Sequence, residues 1–553
     1  MTYSKKQLSQ LIVESCVAYK IEHVIISPGS RNAPLTIGFT NHSKIKTYSI
    51  VDERCAAFFA LGIAQQTQKP VALVCTSGSA LLNYYPAFAE AFYSNILLIV
   101  ISADRPKQLI DVGDGQTIRQ ENVFANHSLF NANLVEGEVF ENENATLISK
   151  AIQLAIIKGG PTHINVPFDE PLYETTNSLS VNGIDKKLIS TEKEIDYDFD
   201  YFAKLWNTST KKMVLIGNHY PDVLLQQQLE ELIKDKSVLI FTETTSNVHH
   251  PKFINSVDKL IFPLNDVDFD QLKPEILLTL GGMIVSKRIK QFLRKFKPEH
   301  HWHVNGESAP DTFHCLTQHF KLPTTVYFQY FLKEIKPVKS AYQKNWLSIK
   351  ESRNKKQNQF IKNVEFSDFK VFDVILSELP DNVQLQLGNS SVVRYAQLFD
   401  NNPTIKVFCN RGTSGIDGST STAIGAASVN LEQTIFITGD ISFFYDSNAL
   451  WNSYIPNNFR IIVINNGGGG IFKILPGPQK TNALNYFETP HNLTAEHLCK
   501  MYKLDYFKAK NERELSNQLK PFFNSVERPK LLEIFTPNNL NDKVLKEYFK
   551  HIQ

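Results

Sequence analysis

Several common signatures are missing from this chain. Its six cysteines (Cys16, Cys55, Cys75, Cys315, Cys409, Cys499) contain no C-x-x-C pair. That excludes a zinc ribbon or a disulfide scaffold and implies reduced thiols in a cytoplasmic protein. No apolar run approaches the roughly 18 residues that span a bilayer. The opening MTYSKKQLSQ has no apolar signal core. A soluble, cytoplasmic protein is expected. Excess charge is missing too: 58 basic against 56 acidic side chains leave +2. No global field favours nucleic acid or an acidic membrane, so any preference for anions must be local. There is no G-x-x-x-x-G-K-[ST] phosphate loop, no G-x-G-x-x-G after a strand, no G-x-S-x-G elbow and no H-E-x-x-H. EHHWHV, residues 299–304, looks like a metal cluster, but no Cys or carboxylate set accompanies it at zinc spacing. Strand-edge histidines are the expected reading.

What is present is apolar patterning. The 553 residues, 42% hydrophobic, suggest about three domains of roughly 150 residues. HVIIS, KTYSIV, VALVCTS and ILLIVISA alternate with the helical ERCAAFFALGIAQQ and ALLNYYPAFAEAFY. KMVLIG, SVLIFTE, EILLTLGG and HHWHVN repeat the pattern, as do NVQLQLGNSS, IKVFCNRG, QTIFITGD, FRIIVINN and PKLLEIF. Continuous β-branched runs alternating with helices predict α/β units, each a doubly wound parallel sheet covered on both faces. We expect units at 1–180, 200–345 and 365–553. A polar linker is expected from about 176 to 200, and an exposed helix or linker over 340–365.

Two motifs carry chemistry. IFITGD runs a strand into Gly439-Asp440, and INNGGGG follows the run Ile461–Val463. Ligands of open α/β sheets bind at the carboxyl ends of strands. The 24 residues between Asp440 and Asn465 suffice for one crossover helix, placed at SNALWNSYIP. Asp, Asn and exposed backbone carbonyls are hard oxygen donors that suit Mg²⁺ or Ca²⁺, and Mg²⁺ usually shares its shell with phosphates.

Gly-Asp followed by Asn-Asn after the next strand resembles the cation–diphosphate motif of thiamin diphosphate enzymes. The resemblance implies their three-domain fold, with pyrimidine-binding, central and diphosphate-binding domains in that order. It implies thiamin diphosphate with Mg²⁺, or Mn²⁺ in its place, held by Asp440, Asn466 and the Gly468 carbonyl. Gly439, Ile441 and Ser442 would flank the cofactor. Ile441 stands where the family often has glycine. By the same resemblance, Glu53 matches the glutamate that hydrogen-bonds the aminopyrimidine, and Ile416 matches the aliphatic wedge that bends the cofactor. Ile471 and Phe472 would line its pocket. The family builds each site between two chains, which implies a homodimer or a dimer of dimers.

Polar and basic residues cluster at predicted strand ends: Ser30 and Arg31, Arg105, Gln116 and Arg119, Ser390 and Arg394, and Arg411, with Lys287 and Arg288 in the central unit. Arginine grips carboxylates with a bidentate fork, so such a set suits substrates with several carboxylates. SPGSR, DER, TSG, ADRP, IRQ, GNSSVVR, NRG-x-SGIDG, GD and NN-x-GG-x-IF resemble, in that order, the thiamin diphosphate synthases of menaquinone biosynthesis. They span residues 27 to 472. Asn32, Ala33, Gly467 and Gly470 depart from that pattern. The resemblance implies decarboxylation of 2-oxoglutarate and 1,4-addition of the remaining fragment to isochorismate. Ser30, Arg31, Arg105, Gln116, Lys287, Arg288, Ser390, Arg394 and Arg411 would surround the substrates. Two rival readings are a relative of acetolactate synthase or pyruvate oxidase, and a non-catalytic α/β protein that binds nucleotide or metal.

Overall fold

The computed structural model describes residues 1–181, 196–474, 477–524 and 527–553. The expected linker therefore lies, over 182–195, outside the described residues. Three all-parallel sheets are present. The first has six strands in the spatial order Lys46–Ser49, His23–Ile26, Val71–Cys75, Leu98–Asp104, Thr162–Pro167 and Asn131–Asn133. The central sheet has five: Val238–Thr242, Lys212–Ile216, Ile276–Leu280, His300–Val304 and Leu316–Phe320. The third has six: Lys406–Cys409, Gln384–Leu387, Thr434–Gly439, Phe459–Asn465, Lys530–Phe535 and Asp505–Ala509. Numbered within each sheet by chain order, the first and third both read 2-1-3-4-6-5, and the central one reads 2-1-3-4-5. In each sheet the order in which strands are added reverses between strands 1 and 3, which opens a crevice at their carboxyl ends.

Strand residues alternate between two cores, as the pleat requires. Val71, Leu73 and Cys75 face one core, and Ala72 and Val74 the other. Ile461 and Val463 face the same core as Leu73, while Ile462 and Ile464 turn to a separate one. The first and third sheets thus share one continuous apolar interior. Its centre is the crossing of helices Glu53–Thr67 and Ser419–Ala427. A Cβ on Gly62 would lie 2.1 Å from the Thr422 carbonyl oxygen, and one on Gly425 2.1 Å from that of Phe59. Only glycine allows the two backbones to approach this closely. Asp446 seals the same junction: it accepts the Ser421 N–H at 2.8 Å and lies 3.6 Å from the Arg54 guanidinium.

Local differences from the sequence reading have physical causes. ALLNYYPAFAEAFY forms two helices, Ser79–Asn83 and Tyr85–Ser94, because Pro86 lacks an N–H and starts a new first turn. The crossover helix lies earlier than expected. It begins at Asp440, immediately after its strand, and ends at Tyr445; SNALWNSYIP supplies only the 3₁₀ turn Ser447–Leu450. Asp446, tied to Ser421, stops the helix there. The segment near 340–365 is a helix, Tyr342–Asn363. Strands Asn131–Asn133, Thr162–Pro167, Leu316–Phe320 and Asp505–Ala509 have no counterpart in the sequence reading, nor has the short antiparallel pair Tyr3–Ser4 and Thr175–Thr176. Asn131–Asn133, Leu316–Phe320 and Asp505–Ala509 are sheet edges with mixed burial, so they carry no continuous apolar run. Thr162–Pro167 is interior and buried, but Thr162, His163 and Asn165 break its apolar run. His301 and His303 both point at the Thr279 hydroxyl, 2.9 and 2.8 Å away. Among the described residues no helix is long and apolar enough to cross a membrane.

Candidate active site

The crevice between strands Gln384–Leu387 and Thr434–Gly439 opens into a cavity of 370 Å³. Gly439, Asp440, Ile441 and Ser442 form one wall, and Asn466 with Gly468–Phe472 another. Asp440 is the first residue of its helix and is buried. Its Oδ1 accepts the Ile441 N–H at 2.7 Å. Its Oδ2 accepts those of Gly467 and Gly468 at 2.9 and 3.0 Å. Burial pushes the carboxyl above the usual carboxylate range, while these N–H donors and His491, 3.3 Å away, act in the opposite direction. Positive φ at Gly467 (76°) and Gly468 (153°) turns the chain back on Asp440.

Asn466 follows strand Phe459–Asn465 directly. Its amide nitrogen donates to Asp368 Oδ2 at 3.0 Å, and its carbonyl oxygen is buried without a partner. A buried acceptor left unmatched costs free energy unless a ligand completes it. Carboxylate, amide carbonyl and glycine backbone in one corner form an all-oxygen donor set, and these residues fit a hard divalent cation.

The opposite side is built from loops. Ser442 Oγ donates to the Ile416 carbonyl at 2.6 Å and fixes Ile416 at the cavity edge. Ile471 and Phe472 close the apolar side, with Phe472 5.2 Å from the Phe487 ring. Ser390 has positive φ (69°) and accepts the Arg394 guanidinium on its carbonyl. Asn389, overlooked within GNSS, lines the cavity and organises its floor. It donates to the carbonyls of Asn410 and Gly415, both at 2.7 Å, and accepts Arg411 Nη1 at 2.7 Å. The Arg411 loop is held from the first unit by the buried Glu90, which accepts the N–H groups of Gly412 and Thr413 at 2.7 and 2.6 Å. Arg411 itself faces a second cavity at the junction of the three sheets.

The other sequence candidates lie apart from this cavity. Glu53 opens its helix, with a carboxylate oxygen 3.5 Å from the Asn83 amide. Arg31 is buried and bonded to the Phe168 carbonyl (2.9 Å) and to Glu170 (3.2 Å). Arg105 donates to the Gly115 carbonyl, Ser30 and Gln116 are exposed, and Arg119 pairs with Asp111. These residues gather at the carboxyl edge of the first sheet, and none lines the 370 Å³ cavity. Lys287 is exposed at the start of helix Lys287–Lys295. Arg288 turns to an outer groove, over Phe269 at 5.3 Å and against the Leu264 carbonyl. Among the described residues, the cavity takes nothing from those before Asp368.

Comparison with known proteins gives the family. Residues 6–126 match the family described as "Thiamine pyrophosphate enzyme, N-terminal TPP binding domain". Residues 209–387 match the middle domain and 387–534 the C-terminal TPP binding domain of the same enzymes. Full-length relatives named 2-succinyl-5-enolpyruvyl-6-hydroxy-3-cyclohexene-1-carboxylate synthase occur in Flavobacterium johnsoniae (57% identical) and Flavobacterium psychrophilum (58%), each covering 100% of both chains. One from Porphyromonas gingivalis is 37% identical, covering 100% of this chain and 98% of its own. The chain belongs to the 2-succinyl-5-enolpyruvyl-6-hydroxy-3-cyclohexene-1-carboxylate synthase family of thiamine pyrophosphate enzymes.

Proposed function

We propose that this protein, with thiamin diphosphate and Mg²⁺, decarboxylates 2-oxoglutarate. It then joins the remaining four-carbon fragment to isochorismate by 1,4-addition, a step of menaquinone biosynthesis. The single observation that carries the cofactor site is the oxygen-lined corner at Asp440, Asn466 and Gly468, with its unmatched Asn466 carbonyl. The substrates are those expected of a chain that shares its full length with the named synthases.

Bound thiamin diphosphate supplies the carbon nucleophile and electron sink that this chemistry needs. The protein does the rest. Asp440, Asn466 and the Gly468 carbonyl would hold Mg²⁺ and, through it, the diphosphate. Gly439, Ile441, Ser442 and Ile416, which Ser442 buttresses, would line the cofactor's place. Ile471 and Phe472 would exclude water from the cavity. Glu53 would hydrogen-bond the aminopyrimidine and hold or release a proton there. Because Glu53 lies outside the cavity of its own chain, it serves a site on a second copy, so the working unit is a homodimer. Ser30, Arg31, Arg105 and Gln116 come from that copy. Ser390, Arg394, Arg411 and Lys287 come from the chain that holds the cation. Together they orient the substrate carboxylates and offset developing charge. Arg288 reaches the substrates only if it leaves its outer groove.

One assay tests the proposal: purified protein with thiamin diphosphate, Mg²⁺, 2-oxoglutarate and isochorismate, each omitted in turn. Isochorismate is consumed, and CO₂ released, only in the complete mixture. Consumption without 2-oxoglutarate, or none in the complete mixture, overturns the assignment.

A further inference from the structure

Asp368 is a buried carboxylate that the sequence motifs do not single out. It lies in the first turn of helix Asp368–Glu378 and borders the same cavity as Asp440. Both of its oxygens are committed. Oδ1 accepts the Thr536 hydroxyl at 2.6 Å, and Oδ2 accepts the Asn466 amide nitrogen at 3.0 Å. Its backbone N–H donates to Asn541 Oδ1 at 2.8 Å, and the Asn541 amide nitrogen lies 3.5 Å from Thr536 Oγ1. Asp368 is therefore clamped by the segment after strand Lys530–Phe535 and by the start of helix Asn541–His551.

The clamp has a directional effect. An amide side chain presents either its nitrogen or its oxygen to a given neighbour, and a carboxylate accepts only the nitrogen. By taking the Asn466 nitrogen, Asp368 turns the Asn466 carbonyl the other way, where it is buried and unpartnered. We propose that Asp368 is a positioning residue that sets the Asn466 amide with its oxygen toward the cation, without ligating the cation itself. This rests on the reading of Asn466 as a cation ligand. Outer groups of this kind typically change metal affinity by about 10- to 100-fold.

The test is Mg²⁺ affinity of the full chain with saturating thiamin diphosphate, measured by calorimetry, and Mn²⁺ affinity by electron paramagnetic resonance. Asp440→Ala comes first, and an unchanged affinity there removes the cation site itself. With that site established, Asp368→Ala weakens cation binding by about 10- to 100-fold. Asp368→Asn, which can still accept the Asn466 nitrogen on its own carbonyl, recovers most of the loss. Thr536→Val leaves the carboxylate in place but loosens it, and gives an intermediate loss. Should Asp368→Ala disturb folding, the Asp368→Asn and Thr536→Val pair decides, because each keeps the local volume. Wild-type affinity in both Asp368→Ala and Thr536→Val, or a loss in Asp368→Asn as large as in Asp368→Ala, overturns the proposal.

Discussion

At the scale of single residues, the site separates groups that bind from groups that move protons. In the proposed mechanism Glu53 belongs to the second class, and it does not line the Asp440 cavity of its own chain. Glu53→Gln should leave thiamin diphosphate and Mg²⁺ affinity within a few-fold of wild type. Turnover should fall by at least about 10²–10⁴, the usual weight of a positioned acid–base group. Calorimetry and a steady-state assay on the same preparation separate the two effects, and near-normal turnover would remove Glu53 from the mechanism. Asp440 and Asn466 could be singled out because each follows an apolar run, and the fold brings the two to one cavity; Glu53 was singled out by resemblance alone. Asp368 was not: it lies 98 residues from Asn466 in the chain, and only the folded sheet brings them together. His491 is a similar case, reaching Asp440 from a loop with no periodic pattern. Asn389 lies within GNSSVVR, where the Ser390 hydroxyl and the Arg394 charge are the stronger signals.

At the scale of elements, most interior strands were readable because burial on both faces demands unbroken apolar runs. Thr162–Pro167 was not, since Thr162, His163 and Asn165 are buried there among the apolar residues. Of the six edge strands, Lys46–Ser49, Val238–Thr242 and Lys406–Cys409 were read, whereas Asn131–Asn133, Leu316–Phe320 and Asp505–Ala509 were not, since their mixed burial tolerates polar residues. Helix packing was equally invisible, because a glycine in a helical pattern says nothing about what lies opposite. The crossing of Glu53–Thr67 over Ser419–Ala427 makes a sharp prediction. Gly62→Ala or Gly425→Ala places a methyl group against a backbone carbonyl that cannot yield without moving its helix. Each should cost about 1–3 kcal/mol, the range for overpacked cores. Chemical denaturation and thermal melting would register it, and an unchanged midpoint in both variants would show that the helices separate freely. Activity should fall in parallel, because Glu53 begins one of these helices.

At the scale of the whole molecule, the proposed dimer follows from two incomplete half-sites. Mixing is the direct check. Glu53→Gln and Asp440→Ala chains are each expected to be inactive alone. After co-refolding or co-expression, mixed dimers would hold one site with both wild-type groups and one with neither. Statistical pairing then restores about a quarter of wild-type activity, since half the dimers are mixed and half their sites are intact. No recovery, with mixed dimers demonstrated by differential tagging, would place both groups in one chain. The three-unit organisation was visible in the sequence as a rhythm of apolar runs, but the shared interior of the first and third units was not. It depends on which face of each strand meets which core.

The glycine crossing also has a symmetry. Gly62 abuts the residue three before Gly425, and Gly425 abuts the residue three before Gly62. Both helices follow the second strand of sheets with the same strand order. A local dyad therefore passes between the two glycines, and the contact is isologous within one polypeptide, as between identical subunits. A second chain adds a true dyad to this internal one. Each pyrimidine-side unit in the proposed assembly then has two counterparts, its own across the glycines and its neighbour's across the cofactor. In the proposed dimer, four sheets of the same strand order would form a closed set, so a methyl group added at the glycine seam is expected to disturb both sites at once.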